Sequence, residues 1–200
     1  MGSSSVLAGA SRMTSDDEDG ELLIAYARRG DTQSLSALVK RHSTWMQAFL
    51  RSLLSSTADA EDAFQETWVR VINSAGRYRG GKVKSYLATI ARTAAIDRMR
   101  RQGKTVSLDV ESEEGQSARE AIPDTAPTPC ERFESKATSE DVRRAVRALP
   151  EGQRQVLLMR IEGEMPFKEI AAELGVPLGT ALTWMHAATE KLKKMLGGAE

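Results

Sequence analysis

The sequence predicts an all-α protein of two small helical domains joined by a flexible acidic linker. Three observations carry that expectation. Apolar residues recur at steps of three and four through residues 20–103 and again through residues 138–196, the period of amphipathic helices. Between these stretches Pro123, Pro127 and Pro129 interrupt helix formation, and from Thr105 to Asp141 ten acids stand against three bases. In the C-terminal part, Gly175-Val176-Pro177 separates two short helical runs, the pattern of a helix-turn-helix.

Composition narrows the classes of function. The chain has 200 residues, 40% hydrophobic and 28% charged, which suits one domain or two small ones. No run of eighteen apolar residues occurs, so no membrane insertion is expected. Residues 1–19 lack the apolar core of a signal peptide and are Ser-, Gly- and Asp-rich, which predicts a disordered N-terminus. Cys130 is the single cysteine, with neither a disulfide partner nor a metal-binding companion. A reduced, cytoplasmic location fits these facts. Two distant histidines, no Gly-rich phosphate loop and no cluster of metal-ligand residues put an enzyme last, and neither cofactor nor metal is expected.

Taken in order, Glu21 to Arg29 predicts a short helix closed by Gly30. Asp31 or Thr32 can cap a longer one, whose stripe runs through Leu35, Leu38, Val39, His42, Trp45, Met46, Phe49, Leu50 and Leu53. His42 lies on that stripe and reads as a packed residue. The next helix carries Ala60, Ala63, Phe64, Thr67, Trp68, Val71 and Ile72, with Thr57 or Asp59 as its cap; Trp45, Phe49, Phe64 and Trp68 are expected in one core. Gln65, Glu66 and Arg70 fall off its apolar face. A break follows at residues 73–84, and a helix over 85–101 ends on Arg98, Arg100 and Arg101. In the second half Thr138 or Ser139 caps one helix, Pro150 and Pro166 open the next two, and a fourth runs from about Leu178 to Leu196. Its inward side is expected to hold Ala181, Met185, Ala188, Leu192 and Met195.

Charge is unevenly placed. From Arg77 to Lys104 there are nine Lys or Arg against one acid, Asp97, in a chain of zero net charge. Such a patch is the footprint of a polyanion, although a basic last turn also suits the helix dipole.

The residues resemble a family. The run from Asp59 to Val71 resembles the core-binding helix of bacterial sigma factors, in particular the extracytoplasmic-function (ECF) group of the sigma-70 family. The run from Tyr86 to Arg101 is similar to that group's promoter-opening helix, and Phe167 to Thr180 to the helix-turn-helix of region 4. The resemblance implies region 2 over residues 20–103, a linker over 104–137 that threads toward the polymerase RNA channel, and region 4 over 138–196. It implies contact with core RNA polymerase, its beta-prime and beta subunits, through Asp62, Gln65, Glu66 and Arg70. The promoter −10 element would meet Asn73, Arg77, Arg79, Lys82, Lys84, Tyr86, Arg92, Thr93, Arg98, Arg100 and Arg101, with the loop over 73–84 setting specificity, Tyr86 stacking on an unpaired base and the arginines on phosphates. The −35 element would meet Arg160, Phe167, Lys168, Pro177, Gly179, Thr180, Thr183, Trp184 and His186. An anti-sigma factor is the further partner implied.

The recognition helix departs from the family. Where the group usually carries four bases, this chain has Leu182, Trp184, Ala187 and Thr189. Phosphate neutralisation supplies much of a protein's DNA affinity, so the loss bears on function. Thr183 and Trp184 are expected on the exposed face, where Trp184 could touch a thymine methyl or dock on protein. Two other readings stay open: a sigma-like mimic that sequesters an anti-sigma factor, and an ordinary helix-turn-helix regulator.

Overall fold

In the computed structural model, residues 15–101 and 138–197 are described, and among them all regular structure is helical. The linker expected over 104–137 and the first fourteen residues lie outside the described residues.

Helix α1 (Ser15–Arg29) begins with Asp16, Asp17 and Glu18 at its positive end and finishes with Arg28 and Arg29 at its negative end. It starts inside the stretch expected to be disordered. The reason is non-local: Asp19 is 4% exposed and accepts hydrogen bonds from Arg41 Nη1 and His42 Nε2, both at 2.8 Å. Gly30 ends the helix in the left-handed conformation, its N–H bonded to the Tyr26 carbonyl. Asp31 caps α2 (Thr32–Leu53), accepting from the backbone N–H groups of Gln33 and Ser34.

The cap of α3 (Thr57–Ser74) is Ser56, which accepts from the Asp59 N–H at 3.3 Å. Neither Thr57 nor Asp59 does this. Thr57 is already the first helical residue, and the Asp59 carboxylate turns inward to Arg98 Nε at 2.9 Å. A single 3-10 turn (Ala75–Arg77) and a loop through Gly80 and Gly81, both at positive φ, lead to α4 (Val83–Arg101). Helices α3 and α4 run antiparallel: Asp59 and Asp62 meet Arg98 at one end, and Ser74 meets Tyr86 at the other.

In the second half α5 (Ser139–Arg147) opens with a reciprocal Thr138–Asp141 capping box. Helices α6 (Glu151–Ile161) and α7 (Phe167–Leu174) follow Pro150 and Pro166, where a missing N–H costs nothing. Gly175, at φ 69°, makes the turn into α8 (Leu178–Gly197).

One hydrophobic core runs through both halves, from Leu23, Met46, Phe49 and Leu87 to Val156, Met159, Ile170 and Ala181. Among its aromatics Trp45 meets Phe49, and Phe64 meets Trp68, edge to face. Ile72 and Met195, expected inward, are exposed at 41% and 47%. The halves pack where α5 and α6 meet α2 and where α6 meets α4. At the first contact Arg147 donates through Nε and Nη2 to the Arg51 carbonyl at 3.1 and 2.9 Å. That carbonyl lies in the last turn of α2, where no intrahelical N–H remains to serve it.

Candidate polymerase and promoter surfaces

The α3–α4 pair holds the residues expected to bind polymerase. A shallow groove of about 260 Å³ between the helices is lined by Asp62, Gln65, Glu66, Val69, Arg98 and Arg101, among others. Val69 is 52% exposed beside it, an unusual place for a large apolar side chain on the more polar face of an amphipathic helix. The acids around the groove are paired. Glu66 accepts from Arg70 Nε at 2.9 Å, Arg70 also reaches Asp97 at 2.9 Å, and Asp62 pairs with Arg98. Asp59 and Asp62 hold the Arg98 guanidinium pKa above its ordinary value, chiefly through the Asp59 hydrogen bond. The groove therefore presents balanced charge around an apolar centre.

The basic loop stands on one side of this pair. Arg77, Arg79 and Lys82 are exposed, as is Asn73 at the end of α3. Arg79 Nη1 donates to the Gly76 carbonyl at 2.9 Å, which helps to shape the loop. The half-buried Tyr86 ring meets Tyr78 edge to face at 5.4 Å, and its hydroxyl shares a 2.7 Å hydrogen bond with Ser74 Oγ. On α4, Thr93, Arg100 and Arg101 are exposed.

Three of the expected DNA-contacting cations, Lys82, Lys84 and Arg92, meet the other half of the chain. Arg92 is 8% exposed; its Nε donates to Gln155 Oε1 at 2.7 Å and its Nη1 to Glu173 Oε1 at 3.2 Å. Burial lowers the Arg92 pKa, opposed by Glu173 and Glu151, and raises that of Glu173, opposed by Arg92. Lys84 Nζ donates to Glu164 Oε1 at 2.7 Å, and Lys82 lies 3.7 Å from the same carboxylate. The Lys84 hydrogen bond holds the Glu164 pKa below its ordinary value. Arg98 is also engaged, in the pairing with Asp59 and Asp62 within the first half described above. Of the four α4 arginines expected on phosphates, only Arg100 and Arg101 stand out into solvent.

The helix-turn-helix is formed by α7 and α8. Lys168, Pro177 and Gly179 are exposed, and Thr180 is half-exposed. Phe167 is half-buried under the Arg160 guanidinium, 4.9 Å from the ring centre, while Arg160 Nη1 donates to the Met165 carbonyl at 3.0 Å. Thr183 and His186 are exposed, as expected. Trp184 is not. It is 9% exposed and packs over α6, where a Cβ placed on Gly152 would come within 2.7 Å of its ring. The apolar stripe of α8 claims position 184, because 181, 184, 185 and 188 share one helical face.

Gln155, Gly163, Glu164 and Glu173 were not singled out from the sequence. Their partners lie between 63 and 81 positions away, and no local pattern marks such contacts.

Known proteins resemble both halves of the chain. A family model described as "Sigma-70 region 2" matches residues 38–105, and one described as "Sigma-70, region 4" matches residues 139–192. The RNA polymerase sigma factor CarQ of Myxococcus xanthus is 32% identical over 174 residues, covering 86% of this chain and 95% of that protein. The ECF RNA polymerase sigma factor SigE of Mycolicibacterium smegmatis is 30% identical over 164 residues, covering 82% of this chain and 62% of SigE. Among solved structures, the sigma factor RpoE in complex with the anti-sigma factor NepR from Bartonella quintana has a TM-score of 0.61 at 22% identity, over 84% of this chain and 99% of that one. This last likeness concerns the fold.

Proposed function

Because the chain belongs to the ECF group of the sigma-70 family of RNA polymerase sigma factors, we propose that its α3–α4 pair is the hinge of its activity: one side of the pair holds core RNA polymerase and the other holds melted promoter DNA. The protein is a transcription initiation factor that directs polymerase to promoters, and its chemistry is recognition. The observation that carries the assignment of surfaces is the α3–α4 geometry itself. It sets a charge-balanced groove with exposed Val69 beside a strongly basic loop and helix end.

Asp62, Gln65, Glu66 and Arg70 are the polymerase-facing residues. Paired charges around an apolar spot suit a protein interface, where charged groups fix register and the desolvated centre supplies affinity. Asn73, Arg77, Arg79, Lys82 and Tyr86 are the residues beside an unstacked −10 base, with Tyr86 able to stack on it and Arg100 and Arg101 on flanking phosphates. Lys84, Arg92 and Arg98 join them only after their present partners let go. In the second half Thr183 and His186, with Thr180 and Lys168, are the groups offered to the −35 element, and this half adds little phosphate affinity. The cytoplasm, where polymerase works, is the place of action, and no helix among the described residues is long and apolar enough to cross a membrane. An anti-sigma factor is the regulatory partner proposed, as RpoE has one in its solved complex.

Transcription in vitro with purified core polymerase and a genomic fragment library tests the reading. Promoter-specific transcripts that depend on the chain are the expected result. Core binding with no transcript from any fragment would count against it and favour a sigma mimic.

A further inference from the structure

The loop over 73–84 is braced by α1, a helix that carries none of its residues. Tyr78 is half-buried, whereas Arg77 and Arg79 on either side of it are exposed. Its hydroxyl donates to the Gly81 carbonyl at 2.5 Å and so closes the turn through Gly80 and Gly81, both at positive φ. Its ring meets Tyr86 edge to face, and the Tyr86 hydroxyl is tied to Ser74. Helix α1 packs on the 3-10 turn that leads into Tyr78. The buried Gly20 of α1 backs the Tyr78 hydroxyl, where an added Cβ would lie 3.4 Å away. Asp16, one turn earlier, is 3.9 Å from Lys82 at the exit of the loop. Burial raises the Tyr78 pKa, and Asp16 and Asp19 push it the same way, so the hydroxyl keeps the proton that it donates.

We propose that Tyr78 is a positioning residue for promoter specificity: braced by α1, it sets where Arg79 and Tyr86 stand and so which −10 base the loop accepts. This rests on the reading of the 73–84 loop as the −10 surface. Two adjacent glycines give a loop wide backbone freedom. Groups that read a base must instead be held within about 0.5 Å of their productive places. The Tyr78 hydroxyl removes the freedom at Gly81, and its ring seats Tyr86. Tyr78 acts through these neighbours and touches no base itself. Helix α1 thereby becomes part of the specificity apparatus without reaching DNA.

The test is transcription by holoenzyme from a promoter library randomised over the −10 element, read as the ratio of preferred to next base at each position. Tyr78→Phe keeps the ring and loses the Gly81 bond. Gly20→Leu leaves the loop sequence intact and pushes on the Tyr78 hydroxyl from behind. Each should lower discrimination at one −10 position by about fivefold, the smallest effect usual for a single base pair. Gly20→Ala, whose Cβ fits at ordinary contact distance, should keep the wild-type preferences. Thermal melts and core binding of Tyr78→Phe should match the wild type. Preferences unchanged in both Tyr78→Phe and Gly20→Leu overturn the proposal, and so does an even fall across all promoters, which would make the brace a matter of folding only. Arg77→Ala/Arg79→Ala/Lys82→Ala separates the two levels. If this variant shifts −10 preference and the other two do not, the positioning role alone fails. If none of the three shifts it, the loop is not the −10 reader, and the proposal falls with that reading.

Discussion

Arg92 donates to Gln155 across 63 residues of sequence at 2.7 Å, and neither side chain is open to solvent. A guanidinium cannot shed its charge on burial, so a site that buries one must satisfy it fully. Gln155 accepts from its Nε and Glu173 from its Nη1. Replacing Gln155 by Leu should leave the Arg92 Nε unsatisfied and loosen the contact between the halves, destabilising the chain by about 1–3 kcal/mol in urea titrations.

Polymerase affinity is expected to reside in α3. Asp62→Lys/Glu66→Lys should weaken core binding by about tenfold or more, because like charges brought together at an interface cost several kcal/mol. Each change also breaks a pair, with Arg98 and Arg70 respectively. Circular dichroism should still show the helices, since both sites are on the outer face. Unaltered affinity in a fluorescence titration would remove the assignment.

Salt dependence separates the arginines of α4. For promoter binding by the assembled holoenzyme, neutralising Arg100 and Arg101 should flatten the log–log salt slope by about two units. Adding Arg98→Ala should change the slope less than either, because Arg98 is already engaged by Asp59 and Asp62. Three equal increments would show that Arg98 releases its acids and takes a phosphate.

For Trp184 the expected effect is on stability. Trp184→Ala should destabilise the second half by about 3–5 kcal/mol through the cavity left over Gly152. Thr183→Arg/His186→Arg, at exposed positions, should instead strengthen duplex binding and steepen the salt slope by about one unit for each charge. A Trp184→Ala chain as stable as the wild type, with altered promoter preference, would reverse this.

His42 gives a pH dependence. The Trp45 indole N–H donates to Nδ1 at 2.8 Å, so the Nε2–H must donate to Asp19. Burial lowers the imidazole pKa, as do nearby Lys84 and Arg41, against the opposing pull of Asp19. A histidine whose folded pKa is depressed takes up its proton more readily when unfolded. Stability is therefore full above about pH 6.5 and is lost as pH falls toward the folded value, by at most about 1.4 kcal/mol per pH unit. Thermal melts between pH 7.5 and 5 should show that loss, and His42→Gln should remove it; identical slopes for the two chains would refute the assignment.

The sequence told most about elements and least about what joins them. Helix spacing, Gly30, Gly175, Pro150 and Pro166 marked the helices, because those signals act within a turn or two of chain. Asp19 lies in a stretch whose composition predicts disorder, since its anchors Arg41 and His42 are on another helix and leave no local mark. The Trp184 error has a different origin. Its spacing from Ala181 and Ala188 marked it as inward, but the family's usual arginine at that place suggested an exposed residue. The nine cations of the basic segment were countable, yet no count reveals that Lys84 and Arg92 turn to carboxylates about eighty positions away.

The Gly163–Ala88 fit also limits modular exchange. In this chain the seam is keyed: Gly163 has no room for a Cβ above Ala88, and Gln155, Glu164 and Glu173 are matched to Arg92 and Lys84. A hybrid that takes its second half from a relative would inherit a seam shaped for another α4. It would lack the matched face that joins the two halves here.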